Sequence, residues 1–448
     1  MKKLNKAIST LFTLFLLSNC SSENTINNIS SENINALSRQ EIGGEIYENF
    51  KINPKIEKSK QEKIATKLTY LMNDDEAHQS PWSAKMLLMM DDMPQTSVHN
   101  IVFRDGGKTD DSILYYLKGD NREKEIGADW SFLSDNVKEV QSNNPRLFSR
   151  IVEWTFDNYP SKRRYLQIYT HGGGAFGIGT DVHQTDLKGN ELPKEQRIGM
   201  ITPQKFSEAL KQGLKGRKLD LIYFRACLMG NVEALYDLRG VVNYAIASED
   251  VSYSKENSNI VMTKMFEDLS SKNTDPKDIA YQMAIQGHGK TGADDGYTTI
   301  AAFDLSKVDE LKTALNQFAL SLKETMSKES KAILDAYDAV PTIKGESIAE
   351  KKNENMRDLW RFTNELNQRV QSPSLLSSIE TLRKAQKNFT LHSKDALGAS
   401  ANGLSIFMPF RTNLGEGEIR TFLTENYRKR KFAVDSAWDE FLISLPKA

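Results

Sequence analysis

The sequence predicts an α/β sandwich built on a largely parallel sheet, and three observations lead to it. Apolar runs of strand length recur between residues 67 and 303. They alternate with stretches of helical periodicity, and two of them end in residues able to carry chemistry, His171 and Cys227. Strands that alternate with helices pair in parallel through crossover connections, and the ligands of such sheets sit beyond the carboxyl ends of the strands. His171 and Cys227 both fall at such ends.

In chain order, residues 67–72 form the first strand and lead into Asp74 and Asp75. Residues 99–104 and 112–117 read as the next two, separated by the turn signal Asp105-Gly106-Gly107. Pro145 suits the first turn of a helix whose Leu147, Phe148, Ile151, Val152 and Phe156 share one face. The run 165–170 ends in His171-Gly172-Gly173-Gly174, and the run 219–226 delivers Cys227 ahead of a helix expected from about Met229. Strands at 241–247 and 298–303 complete the predicted sheet. Beyond Asp304 the apolar residues Val308, Leu311, Leu315, Phe318 and Leu322 step by three and four, so the chain turns mainly helical. A strand pair is expected near 389–391 and 404–408. No internal repeat is found.

Composition sets the limits. The 448 residues, 39% hydrophobic and 27% charged, are enough for a large core and two structural units. Lys and Arg number 59 against 60 acidic residues, which gives no support to nucleic acid as a partner and says nothing about substrate. At the N-terminus Lys2, Lys3 and Lys6 precede the apolar run 11–17, a signal peptide too short to span a membrane. Its ending, Leu17-Ser18-Asn19-Cys20, resembles the bacterial lipobox, although Asn19 departs from the small residue usual before the acylated cysteine. The expectation is an exported, monomeric protein of the cell envelope, held to the membrane by lipid on Cys20. An ordinary secreted protein cleaved near Ser18 is the plainer alternative. The chain divides into a signal peptide over 1–20, a polar tether over 21–60, a core over 61–304 and a mainly helical region over 305–448.

The chemistry follows from the two strand ends. A cysteine peptidase needs a thiolate, a group that protonates the leaving amine, and donors for the tetrahedral oxyanion. Cys227 and His171 supply the first two, and the N–H groups of Gly172 and Cys227 are candidates for the third. A strand-to-helix junction also offers backbone N–H groups that favour a thiolate over a thiol.

The stretches Tyr169-Thr170-His171-Gly172-Gly173-Gly174, Arg225-Ala226-Cys227-Leu228-Met229-Gly230-Asn231-Val232-Glu233 and Ala247-Ser248-Glu249-Asp250, with 401–409 further on, resemble the clostripain family of cysteine peptidases, relatives of caspases, gingipains and legumains. The resemblance runs from about residue 65 to the end. It implies a caspase-like three-layer sandwich, a His171/Cys227 dyad with no obligatory third residue, and endopeptidase action on polypeptides. The resemblance also places Arg225, Ser248, Glu249 and Asp250 around the pocket for the P1 side chain. Members that cut after Arg or Lys commonly carry Asp two residues before the cysteine, where this chain has Arg225. A guanidinium there repels a basic P1 group and can pair bidentately with a carboxylate. Either P1 is acidic, or Arg225 is a structural partner of Glu249 or Asp250 and basic specificity survives. Family members are often nicked after a basic residue between the dyad strands, and the insert here carries Lys188, Lys194 and Arg197. An acid-preferring enzyme would leave those sites intact.

Other readings are weaker. Gly172, Gly174 and Gly177 match G-x-G-x-x-G, but turn-rich residues follow where a nucleotide-binding helix should start. His171-Gly172-Gly173-Gly174 also matches an esterase oxyanion element, and the chain has no G-x-S-x-G elbow. Zinc-binding spacing is absent. No cofactor is required, and calcium is admitted only as a structural ion near the acidic pairs Asp74/Asp75 and Asp110/Asp111. The rival from another class is a surface binding lipoprotein on the same scaffold without turnover. His183 and His288 lack the setting of His171.

Overall fold

Period-two alternation in the apolar runs produces one sheet with two buried faces, seen in a computed structural model. The model describes residues 47, 50–56, 58–74, 90, 97–107, 110–117, 130–132, 137, 139–186, 188–193, 196–250, 256–287, 299–343, 355–394 and 402–446. Cys20, Asp75, Lys194 and His288 lie outside them. The strands are β1 (Lys63–Met72), β2 (Val98–Asp105), β3 (Ile113–Leu117), β4 (Trp130–Phe132), β5 (Ser161–Tyr169), β6 (Leu219–Arg225), β7 (Val242–Ala247), β8 (Ile300–Asp304), β9 (Met356–Asp358), β10 (Thr390–Lys394) and β11 (Ser405–Phe407). Nine form one sheet in the order β10-β8-β7-β6-β5-β1-β2-β3-β4. The five central strands, β7 to β2 in that order, are parallel, and two antiparallel strands flank them on each side.

Helices cover the sheet, among them α1 (Pro145–Asn158), α2 (Pro203–Leu214), α3 (Val232–Asp237), α4 (Glu256–Ser271), α5 (Pro276–Gly287), α6 (Val308–Ala339), α7 (Leu359–Arg369) and α8 (Pro373–Phe389). Alternation along β5 and β6 sends Leu166, Ile168, Ile222 and Phe224 into a core shared with α1, α2, α3 and α6. Tyr165, Leu221 and Tyr223 point the other way, toward Phe266, Ile279 and Met283 of α4 and α5. The sheet is thus covered on both faces, as parallel sheets require. Three helices start by one device. Asn144, Thr202 and Ser372 cap α1, α2 and α8 through a side-chain oxygen, each followed by proline in the first turn. A cap of this kind contributes about 1 kcal/mol. No helix among the described residues is long and apolar enough to cross a membrane.

Three expectations are corrected. The strands near 389 and 404 exist but do not pair with each other. β10 adds to the main sheet against β8, and β11 pairs with the short β9. The helix expected from Met229 begins at Val232, because Leu228 is left-handed (φ 63°) and Asn231 is the cap. Within the stretch read as a polar tether, Tyr47 and Phe50 are buried in the main core, and the Tyr47 hydroxyl accepts from the Gln141 N–H at 2.7 Å.

Candidate active site

β5 and β6 run parallel in a register that pairs Tyr165 with Leu221 and Tyr169 with Arg225. The ladder continues one step further, where the Thr170 N–H donates to the Arg225 carbonyl at 3.3 Å. Two residues beyond the last pair, the chain leaves the sheet at His171 on one strand and at Cys227 on the other. The two backbones touch there. A Cβ on Gly172 would overlap the Cys227 carbonyl oxygen and lie 3.0 Å from the Cys227 nitrogen. Glycine is required by space, since Gly172 has no positive φ. Cys227 is buried and His171 nearly so.

Each side of this junction is fixed by hydrogen bonds. The His171 carbonyl accepts from the Gly179 N–H at 2.9 Å, and Ile178 exchanges two 2.9 Å bonds with Ile201. On the cysteine side, the Asn231 side chain caps α3 by accepting from the Ala234 N–H at 2.9 Å and donates to the Leu228 carbonyl at 2.6 Å. The Leu228 N–H donates to the Asp250 carbonyl and the Gly230 N–H to the Ser248 carbonyl, at 3.1 and 2.7 Å. A Cβ at Gly230 would stand 2.7 Å from the Glu249 nitrogen, so this loop also needs glycine for close approach. The left-handed Leu228 costs roughly 1–2 kcal/mol, which these bonds offset. Because α3 is only six residues long and starts five residues after Cys227, its dipole does not act on the sulfur directly.

Arg225 points away from the main core, with its guanidinium 5.8 Å from the Tyr169 ring centre and 5.6 Å from that of Tyr223. It is 7% exposed, and its Nη1 has no hydrogen-bond partner. Among the described residues no carboxylate forms an ion pair with it. Glu249 in particular is occupied elsewhere. Its wholly buried carboxylate accepts from the Gly403 N–H at 2.7 Å and adjoins Asp358, itself bonded by the Asn402 and Arg361 N–H groups. Burial first, and then Asp358, push Glu249 well above the ordinary carboxylate range; burial raises Asp358 too. The Gly403 bond ties the 248–250 turn to the segment entering β11, beside Asp358 at the end of β9. Ser248 bonds Thr299 at 2.6 Å between hydroxyls, tying the same turn to the segment entering β8.

The remaining expectations fall out as follows. After Gly172 the chain makes a 3₁₀ turn over Gly174–Phe176 and a β-bridge, and the next helix is α2, so no helix N-terminus follows the G-x-G-x-x-G match. Lys188 is exposed, while Arg197 pairs with Glu191. Of the acidic pairs, Asp74 and Asp111 belong to clusters of carboxylates and Asp110 does not. The sequence reading missed Asp105, Glu139 and Asp181, which complete those clusters. Asp105 was visible only as a turn residue, and nothing local marked the other two.

The sequence pattern of the Clostripain family matches residues 55–444. Among curated proteins no similar sequence is found. Among solved structures, an inactive zymogen C11 protease from Parabacteroides distasonis is 16% identical with a TM-score of 0.58, covering 84% of this chain and 99% of that one. A secreted C11 cysteine protease from Bacteroides thetaiotaomicron, in complex with an irreversible peptide inhibitor, is 16% identical with a TM-score of 0.56 and the same coverage. At such identity these likenesses speak for the fold, which is the caspase-like sandwich with its helical C-terminal region. With the family pattern spanning most of its length, this chain belongs to the clostripain family and is a cysteine peptidase.

Proposed function

We propose that the chain is a lipid-anchored cysteine endopeptidase of the cell envelope in which Cys227 and His171 form the catalytic dyad. The observation that carries the reading is the adjacent exit of His171 and Cys227 from the paired strands β5 and β6. The Cys227 sulfur attacks the scissile carbonyl carbon, and the N–H groups of Gly172 and Cys227 receive the oxyanion. The tetrahedral intermediate then collapses, the C–N bond breaks, and His171 gives its proton to the departing amine. His171, now neutral, takes a proton from water, whose oxygen attacks the thioester and returns the sulfur. No third residue and no cofactor is needed for this cycle.

Arg225 would set the P1 preference, flanked by Ser248 and Asp250, with Glu249 supporting the turn from behind. Its guanidinium lies near two tyrosine rings, and among the described residues no carboxylate forms an ion pair with it. That favours an Asp or Glu side chain at P1 over a basic one. In a panel of fluorogenic peptides differing only at P1, the expected result is faster cleavage after Asp or Glu than after Arg or Lys. Arg225→Asp should invert that order, by about 1–3 kcal/mol of discrimination in each direction. Faster cleavage after Arg by the unaltered enzyme would establish the alternative, basic specificity. An acidic preference also leaves Lys188 and Arg197 uncut by the enzyme itself.

Membrane attachment rests on Cys20 as the acylated first residue of the mature chain. In cells expressing the full sequence, the protein should take up labelled palmitate and sediment with membranes, and Cys20→Ser should abolish both. A Cys20→Ser protein that still takes up label would remove Cys20 as the anchor.

A further inference from the structure

Methionine sulfur lies against the glycine-rich segment after His171 at three places. A Cβ on Gly173 would stand 2.9 Å from Met200 Sδ, one on Gly174 3.3 Å from Met356 Sδ, and one on Gly179 2.7 Å from Met72 Sδ. Without side chains of their own, these glycines let a large, polarizable atom rest directly on the backbone. Met72 and Met356 are 1% and 2% exposed. Met200 is the partly exposed member of the trio.

The backbone of Met200 is fixed against the same turn. A Cβ on Gly177 would stand 2.9 Å from Met200 Cβ and 2.5 Å from the Ile201 carbonyl oxygen, and Ile201 is itself bonded to Ile178. Across the turn, the Gly173 N–H donates to the Gly177 carbonyl at 2.8 Å and the Phe176 N–H to the Gly173 carbonyl at 3.0 Å. Met200 Sδ therefore covers a tight turn whose neighbour on the strand side, Gly172, abuts the Cys227 backbone. A shift of Gly173 reaches Gly172 directly, and His171 through it.

We infer that Met200 is a modification site: a peroxide oxidises it to the sulfoxide, and the sulfoxide slows the peptidase until it is reduced. The inference rests on the roles proposed for His171 and Gly172. The thioether sulfur attacks a peroxide oxygen, the O–O bond breaks as the S–O bond forms, and the departing hydroxide takes the proton of the transferred oxygen and leaves as water. Sulfur is oxidised, peroxide is reduced, and no other reactant enters. The product places a polar group where an apolar one lay on Gly173. Either the sulfoxide stays and its oxygen presses on the turn, or it swings out to water and uncovers Gly173. Both disturb the groups that the turn positions.

The test treats the full-length enzyme with hydrogen peroxide while Cys227 is held as a mixed disulfide with methanethiol. Dithiothreitol then frees the cysteine and leaves methionine sulfoxide untouched, so the loss that remains lies outside Cys227. Peptide mass spectrometry should find oxygen on Met200 well before Met72 and Met356. At saturating peptide kcat should fall at least about tenfold with KM little changed, and methionine sulfoxide reductase should restore it. Met200→Leu should keep after peroxide the activity it had before, whereas Met326→Leu, at a partly exposed position of α6, should lose as much as the parent. If Met200→Leu is inactive from the start, the parent alone decides, because its loss of kcat must follow the oxidised fraction of Met200 through a time course. Unchanged kcat in enzyme fully oxidised at Met200 would overturn the inference, and so would an equal loss in Met200→Leu or a Met200 that stays reduced. Failure of the dyad reads differently, as activity surviving in His171→Ala before any oxidation.

Discussion

Cys227→Ala is expected to lower kcat/KM on any cleaved peptide by about 10⁴-fold or more, with the far-ultraviolet dichroism of the parent. The residue lies in a loop tied down by its neighbours. Asn231 holds Leu228, Ser248 holds Gly230 and Asp250 holds Leu228, all independently of the sulfur. Iodoacetamide separates this reading from a scaffold without turnover. Near neutral pH it should alkylate Cys227 in the parent enzyme and do so at least about tenfold more slowly in His171→Ala, since the imidazole favours the thiolate. Equal rates in the two proteins would dissolve the dyad, and peptidase activity surviving in Cys227→Ala would remove the nucleophile.

Gly172→Ala should be the next most damaging change. Its added methyl has nowhere to go, because the backbone of Cys227 occupies the space and backbone cannot rotate aside as a flexible side chain can. The strand ends must separate, and a displacement of about 1 Å at a reacting group costs about 10²-fold in rate. The expected result is a fall of at least that size in kcat, read at saturating peptide, with secondary structure retained. Gly189→Ala is the matched control. That glycine has φ 82° with nothing within 4 Å of its missing Cβ, so alanine there brings only backbone strain, about 1 kcal/mol of stability, and unchanged kcat. Comparable activity in the Gly172 and Gly189 variants would show that the contact at Cys227 does not position the reacting groups.

Local pattern carried much of the fold. The central strands and α1 lie close to where periodicity and the Pro145 start placed them, because a strand's alternation and a helix's cap are written in consecutive residues. The difficulties begin where a residue's environment is made by distant chain. The run 389–391 reads as a strand and overlaps β10, yet the partner of β10 is β8, nearly ninety residues earlier, and a sequence carries no mark of which edge is vacant. The family resemblance places Glu249 in the pocket with Ser248 and Asp250. Its carboxylate is nonetheless drawn inward by the Gly403 N–H and Asp358, both over a hundred residues away.

What the sequence determined by itself was the kind of site: a cysteine and a histidine each stationed where a strand stops, and an arginine two residues before the cysteine. Those are properties of single segments, set by alternation and by glycine at the break. Only the tertiary structure decided that β5 and β6 are neighbours in matching register, that Arg225 lies near Tyr169 and Tyr223, and that Asp74, Asp105 and Asp181 converge. Side-chain periodicity fixes which face a residue takes within its own strand. The order of strands in the sheet, set by how crossover helices bury their apolar faces, fixes what it meets there.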